Sequence, residues 1–287
     1  MTPSSRSDAL CDWITENRIT HQLWSRTVRS RRLARIYRYP VDFFPTTLML
    51  AVFTAQLTIL LFIDDPVHVI AAVVLLLGIQ VNFAGMCHNH HHQETFRSPL
   101  LNRAFEVMMF LQLGMLPYGY TLHHNIGHHE TYMDQEQDTN RWRRDDGSTM
   151  EPWAFAWVLF LNMYPDVIRI GRSHPAIFRR FLRMFWVCMA VLAIFIVVDP
   201  VNALLVFVAP LPAALLLQAQ ATHYHHAGLA SDDPLRASRN DLDSLYNLRT
   251  CNLGYHTAHH LDPDLHWSRL PEFHAEIKHR IPSELIL

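Results

Sequence analysis

A chain of 287 residues, 50% of them hydrophobic and 17% charged, is long enough for one large domain or two small ones. Its formal net charge of −2 says nothing about an acidic or basic partner. The four cysteines, Cys11, Cys87, Cys188 and Cys251, form no CxxC pair, Cys188 lies in an apolar run, and Cys87 and Cys251 each sit beside a histidine cluster, which argues against a disulfide framework and fits reduced thiols facing the cytosol.

The first 45 residues form a polar N-terminal arm with no apolar core segment and hence no cleavable secretory signal. Arg26, Arg29, Arg31, Arg32, Arg35 and Arg38 crowd its end. A long apolar block follows directly, so this run reads as a juxtamembrane anchor rather than a nucleic-acid arm.

Four apolar blocks follow, at about 46–63, 67–86, 181–198 and 201–221. Each suits a helix that rises ~1.5 Å per residue across a ~30 Å hydrocarbon core. The first two are joined by Asp64-Asp65-Pro66 and the last two by Asp199-Pro200. Proline after an acidic residue stops one helix and starts the next, so each pair is predicted to be a hairpin. Two shorter stretches, Ala104–Tyr118 and Trp153–Tyr164, carry interruptions (Gln112, Gly114, Pro117; Asn162, Pro165) and read as interfacial helices. A third hairpin is the alternative for them and leaves the histidines on the same side.

The expected fold class is therefore an all-α integral membrane protein. It has two transmembrane hairpins, interfacial helices and a histidine-rich cytosolic cap, with 46–287 forming one domain. Of the 24 Lys and Arg residues, 8 precede residue 46, 9 lie between 87 and 180, Arg183 begins the third block and 6 follow residue 221. Neither tight turn has any. The positive-inside rule then places both termini and the segments 87–180 and 222–287 in the cytosol, with the spans in the inner membrane if the cell is bacterial.

Fourteen of the 20 histidines fall in four clusters: His88-Asn89-His90-His91-His92, His123-His124 with His128-His129, His223-Tyr224-His225-His226, and His256 with His259-His260. Helical spacing puts His88 and His92 on one face, as it does His124 and His128, with His129 offset. His256, His259 and His260 share an arc of about 100°. The remaining six, His21, His68, His174, His266, His274 and His279, read as structural. Imidazole suits Fe, Zn, Cu or Ni, and there are more ligands here than one ion uses. No HExxH motif is present, and a structural zinc needs only four ligands, usually including thiolates. A redox metal pair is the better reading.

These motifs, in this order, resemble the membrane fatty acid desaturase and alkane hydroxylase superfamily over about residues 46–275. Asn252-Leu253-Gly254-Tyr255-His256-Thr257-Ala258-His259-His260 is similar to the final box of lipid desaturases, as is Trp267-Ser268-Arg269-Leu270-Pro271 to the segment after it. His124-Asn125-Ile126-Gly127-His128-His129 and His226-Ala227-Gly228 are instead similar to alkane hydroxylase motifs. The resemblance implies two irons held by His88, His92, His124, His128, His129, His226, His256, His259 and His260. His91, His123, His223 and His225 are alternative ligands if the register shifts by one, and Asn89 stands where an acidic residue often follows the first histidine. Asp138 is the foremost candidate for a carboxylate behind a ligand, ahead of Glu130, Asp134, Glu136, Asp241 and Asp243.

What the resemblance further implies is O2-dependent oxidation of a fatty acyl chain, with desaturation foremost. Hydroxylation, or oxidative decarboxylation to a terminal alkene, are the alternatives. The substrate would be a fatty acid or acyl thioester, with its head near Arg141, Trp142 and Arg143. Without a GxGxxG motif, electrons must come from a separate donor that is ferredoxin-, rubredoxin- or cytochrome b5-like. A membrane metal transporter or storage protein is the reading from a different class. The absence of Asp, Glu, Lys and Arg within the four blocks (Arg183 at a block edge aside) weighs against it.

Overall fold

The computed structural model describes residues 29–287, so Cys11, His21 and Arg26 lie outside the described residues. Among these the architecture is helical, with isolated bridges in place of strands. The long helices are α1 (Pro40–Phe62), α2 (Pro66–His92), α3 (Pro99–Leu113), α4 (Pro152–Ser173), α5 (Pro175–Val198) and α6 (Pro200–His226). Shorter helices α7 (Ser244–Thr250), α8 (His256–Leu261) and α9 (Leu270–Ile277) follow. Helices α1, α2, α5 and α6 are 23, 27, 24 and 27 residues long and apolar enough to cross a membrane. The chain is an all-α integral membrane protein.

Both Asp-Pro turns work as the sequence suggests. Asp65 Oδ1 accepts from Val67 N at 2.9 Å and Asp199 Oδ1 from Asn202 N at 2.9 Å, with proline at the first helical position each time. Helices α2 and α6 run further than the apolar blocks, to His92 and His226. The histidine clusters thereby become the last turns of two membrane helices. Helix α4 also outruns its expected end at Tyr164, because Pro165 is carried inside it. Burial of Phe155, Leu159, Met163, Val167 and Ile170 along one face outweighs the hydrogen bond that the proline removes.

The chain divides into two compact units. One comprises Leu48–Ala84 and Arg103–Ala230 and packs an apolar core around Leu111, Leu122, Val167, Val206 and Phe207. Within it, the end of α3 is held by side chains from three other helices. Gln80 Nε2 donates to Gln112 O at 3.2 Å, Gln218 Nε2 to Leu113 O at 3.2 Å and Tyr164 Oη to Gly114 O at 3.2 Å. Gln112 Nε2 in turn donates to Met49 O at 2.9 Å. Terminal carbonyls, which water would satisfy at a surface, are here satisfied by the polar side chains of otherwise apolar helices. Helix α3 thus ends inside this unit rather than lying flat along its outside.

The other unit comprises the chain up to Thr47, Gly85–Asn102 and Ser231–Leu287. The described part of the arm packs here: Arg38 Nη2 pairs with Glu94 at 3.0 Å and Arg97 Nε donates to Ala34 O at 2.8 Å. Buried Asp42 is its polar anchor. It accepts from Trp267 Nε1 at 2.8 Å and lies 3.2 Å from His266 Nε2, whose ring stacks on Tyr39. Gly85 passes so close to the Thr250 carbonyl that a Cβ there would collide with backbone.

Candidate metal centre

The unit built around Asp42 holds five of the nine expected ligands. His88 and His92 sit one turn apart at the end of α2, with ring centroids 4.9 Å apart. His259 on α8 faces both, at 4.4 Å from His88 and 4.8 Å from His92. The ligand nitrogens of these three lie within 4.8 Å of one another. On the same helix His256 Nε2 and His260 Nε2 are 3.2 Å apart. All five rings are buried or largely so.

The short α8 is aimed by its surroundings. Cys251 and Asn252 adopt left-handed backbone at φ 52° and 59°, which reverses the chain after α7. Asn252 Nδ2 then donates to Trp267 O at 3.0 Å, while Gly254 passes against the Asp241 carbonyl where no Cβ fits. Thr257 is fixed from behind by Asn240 Nδ2 and by Ser238 Oγ, each at 2.8 Å. Asn252 and Gly254 of the motif thus have structural reasons for being what they are.

The unit with the apolar core holds the other four. Thr121–His129 winds as a π-helix, with Leu122, His123, His124, Gly127 and His128 buried. An α-helix would separate His124 and His129 by about 140° around the axis; the wider turn brings them closer, with Nε2 atoms 3.1 Å apart. The sequence spacing predicts His129 to be offset from the face shared by His124 and His128; the wider turn instead brings it to His124, while His128 turns toward His226. His128 faces His226 at the end of α6, with ring centroids 4.8 Å apart. His128 Nδ1 lies 2.8 Å from Asp138 Oδ1, with both side chains buried, which leaves Nε2 for a ligand.

Asp138 is held in place by its loop: Thr139 N donates to Gly127 O at 2.9 Å and Thr139 Oγ1 to His123 O at 2.8 Å. A Cβ on Gly127 would strike Thr139 Cγ2 and Ile170 Cδ1. Glycine here allows the loop to approach the π-helix.

Two imidazole nitrogens bound at right angles to one ion at about 2.1 Å stand about 3.0 Å apart. The separations of 3.1 and 3.2 Å match that spacing, so the residues present fit a metal-binding role. The alternative ligands also have partners within the structure. His91 Nδ1 lies 2.7 Å from Cys87 O and His223 Nε2 lies 2.8 Å from Met150 O. His225 is buried against the Tyr224 ring, and burial pushes His123 down to about 4. Among the other acidic candidates, Asp134 and Asp243 cap local turns, Asp241 accepts from Asp243 N, and Glu130 is exposed. Sequence reasoning assigned His266 a structural role, and it bonds to Asp42, which that reasoning did not single out.

Beside Asp138 opens a groove of about 960 Å3 of mixed charge, lined by Arg141, Arg143, Arg144 and Arg169, by Glu136, Asp145, Asp146 and Asp166, and by the Ala154, Val158 and Leu159 side of α4. Trp142 does not take part. It is buried against Phe155, Ala156 and Leu159, which corrects its expected place beside a substrate head.

Four membrane-crossing helices and clustered buried histidines define a helical membrane protein able to bind metal. The fatty acid desaturase family model matches residues 64–286, and the chain belongs to that family. It is accordingly a membrane oxidoreductase that acts on fatty acyl chains. No curated protein and no solved structure matches it.

Proposed function

We propose that the protein is an O2-dependent fatty acyl desaturase whose two irons are held by His88, His92, His124, His128, His129, His226, His256, His259 and His260. The observation that carries this reading is the pairing of imidazole nitrogens at metal-ligand spacing, 3.1 Å for His124 and His129 and 3.2 Å for His256 and His260. Nine imidazoles exceed the four to six ligands of one ion, and all-nitrogen donors favour a redox metal over a structural zinc site.

Bound iron supplies the activation of O2 needed to attack an unactivated C–H bond. The chain's part is to hold and orient. Asp138 fixes the His128 tautomer so that Nε2 points to the ligand position and raises that ring's basicity. Gly127 and Thr139 hold Asp138 in register. The groove beside Asp138 takes the polar head of a free acid or thioester at Arg141 and Arg143. In balance, one O2, two electrons and two protons take two hydrogens from the chain, giving an alkene and two waters. The electrons come from a separate ferredoxin-, rubredoxin- or cytochrome b5-like donor. The arginine distribution favours a cytosolic site and cytosolic termini.

A second reading is favoured by the box His124-Asn125-Ile126-Gly127-His128-His129, which is hydroxylase-like: oxygen insertion to an alcohol, or decarboxylation to a terminal alkene. Mass spectrometry of lipids and headspace from cells expressing the chain decides, with the double variant His128→Ala/His129→Ala as control. A new unsaturated acid absent from the control supports desaturation. An alcohol, or an alkene one carbon shorter, replaces it with the second reading. Metal uptake into vesicles with no O2-dependent product overturns both.

A further inference from the structure

Between Val167 and Val198 the chain carries Arg169, Arg172, Arg179, Arg180 and Arg183 and no acidic residue. This stretch is the last part of α4, a one-residue elbow at His174, and the whole of α5. Arg169 is paired with Asp166 at 2.8 Å. The other four are exposed, and among the described residues none has a carboxylate partner. Arg180 lies over the ring of Tyr118, at 5.9 Å from its centroid. Three of these charges, Arg179, Arg180 and Arg183, stand in the N-terminal half of α5. Nothing in this segment compensates them.

The surroundings say what does. Helix α5 rises ~1.5 Å per residue, so a ~30 Å hydrocarbon core that ends at Val198 begins about twenty residues earlier, close to Arg179. Arg183 is then one turn inside the apolar layer. It is flanked by Leu182 and Trp186, which are 42% and 68% exposed and belong to the lipid-facing surface of the helix. Its Nε turns back toward the start of the helix, 3.4 Å from Arg179 O, the direction in which a long cationic side chain snorkels to the headgroups. On α4 the exposed side chains of Trp153, Trp157 and Leu161 recur every four residues, so one face of that helix is also apolar and uncovered. A water-soluble protein would meet these apolar side chains before it reached Arg183; a lipid phosphate meets Arg183 from the same layer.

We propose that the elbow between α4 and α5 is a binding site for an anionic phospholipid, with its phosphate held between Arg179 and Arg183 and its chains along Leu182 and Trp186. This is independent of the metal centre and of the reaction.

The test is lipid retention. The full-length protein is reconstituted in vesicles of equimolar phosphatidylcholine and phosphatidylglycerol, re-extracted, and its bound lipid measured by mass spectrometry. Wild type is expected to retain phosphatidylglycerol preferentially. Arg179→Gln/Arg183→Gln is expected to lower that preference about thirtyfold, given the contribution of each basic residue at an anionic surface. Arg179→Lys/Arg183→Lys should keep most of it, and Arg280→Gln, which removes an exposed charge elsewhere, all of it. An unchanged lipid ratio in the glutamine variant overturns the proposal. If that variant instead loses affinity for an acidic ferredoxin while its lipid ratio is unchanged, the patch is a protein-docking surface and the lipid assignment fails.

Discussion

Asp138 Oδ1 stands 2.8 Å from His128 Nδ1, and neither side chain reaches solvent. That contact commits one imidazole to a single tautomer. It also ties a loop carboxylate to a residue ten positions earlier on a π-helix, so that position, rather than charge alone, is what the aspartate contributes. Asp138→Asn keeps the shape and a hydrogen-bonding oxygen but removes the charge that raises ligand basicity. Metal affinity or activity is expected to fall about 10- to 100-fold, the usual cost of losing such a partner. Iron per protein by elemental analysis, measured beside turnover, checks this. Full iron content and full turnover in the variant would show that the aspartate does not support a ligand.

The register of the histidine boxes is open to a direct comparison. His124→Ala and His259→Ala remove rings from the converged groups and are expected to lose iron and product together. His91→Gln is expected to retain both, because the proposed ligand set does not include that ring. If His91→Gln abolished iron binding while His124→Ala did not, the ligand set would have to shift.

The parts of this arrangement that short-range chemistry governs were legible in the sequence. Asp65-Pro66 and Asp199-Pro200 stop and cap helices by local bonds, and the length of each apolar block matches a membrane span. The four histidine clusters stood out by spacing alone. What escaped was set by contacts distant in sequence or by departures from ideal winding. The π-helix brings His124 and His129 together at a separation of five, which an α-helical wheel places on different faces. Pro165 would be expected to end α4, but burial of Met163, Val167 and Ile170 carries the helix through. Asp42, 225 positions from Trp267, gives no local sign of its role.

Asp42 supports the unit that carries α8 without touching a ligand. It accepts from Trp267 Nε1 and from His266, and all three side chains are buried. Asp42→Ala leaves two buried donors unsatisfied, at a cost of about 1–3 kcal/mol for such a group. The expected result is a lower melting temperature in detergent, with iron content of the surviving folded fraction unchanged. Loss of iron at full stability would instead place Asp42 in the metal centre.

His274 on α9 is buried against the Tyr255 ring, with neither ring nitrogen hydrogen-bonded. Burial, reinforced by the nearby Lys278 charge, holds its pKa below the ordinary histidine value. In the unfolded chain the ring takes up a proton as pH falls through about 6.5, whereas in the folded protein it does so only at lower pH. The unfolded state therefore binds more protons in this window. The stabilising effect of a neutral, buried ring is complete above about pH 6.5 and is lost progressively as pH falls toward the folded value. His274→Leu keeps an apolar side chain and cannot titrate, so its loss of stability between pH 7 and pH 5 should be smaller than that of wild type. Melting temperatures of the two proteins across that range, compared pairwise, isolate this residue from the other buried histidines. Parallel curves would mean that His274 meets a proton acceptor in the folded state and does not contribute to acid sensitivity.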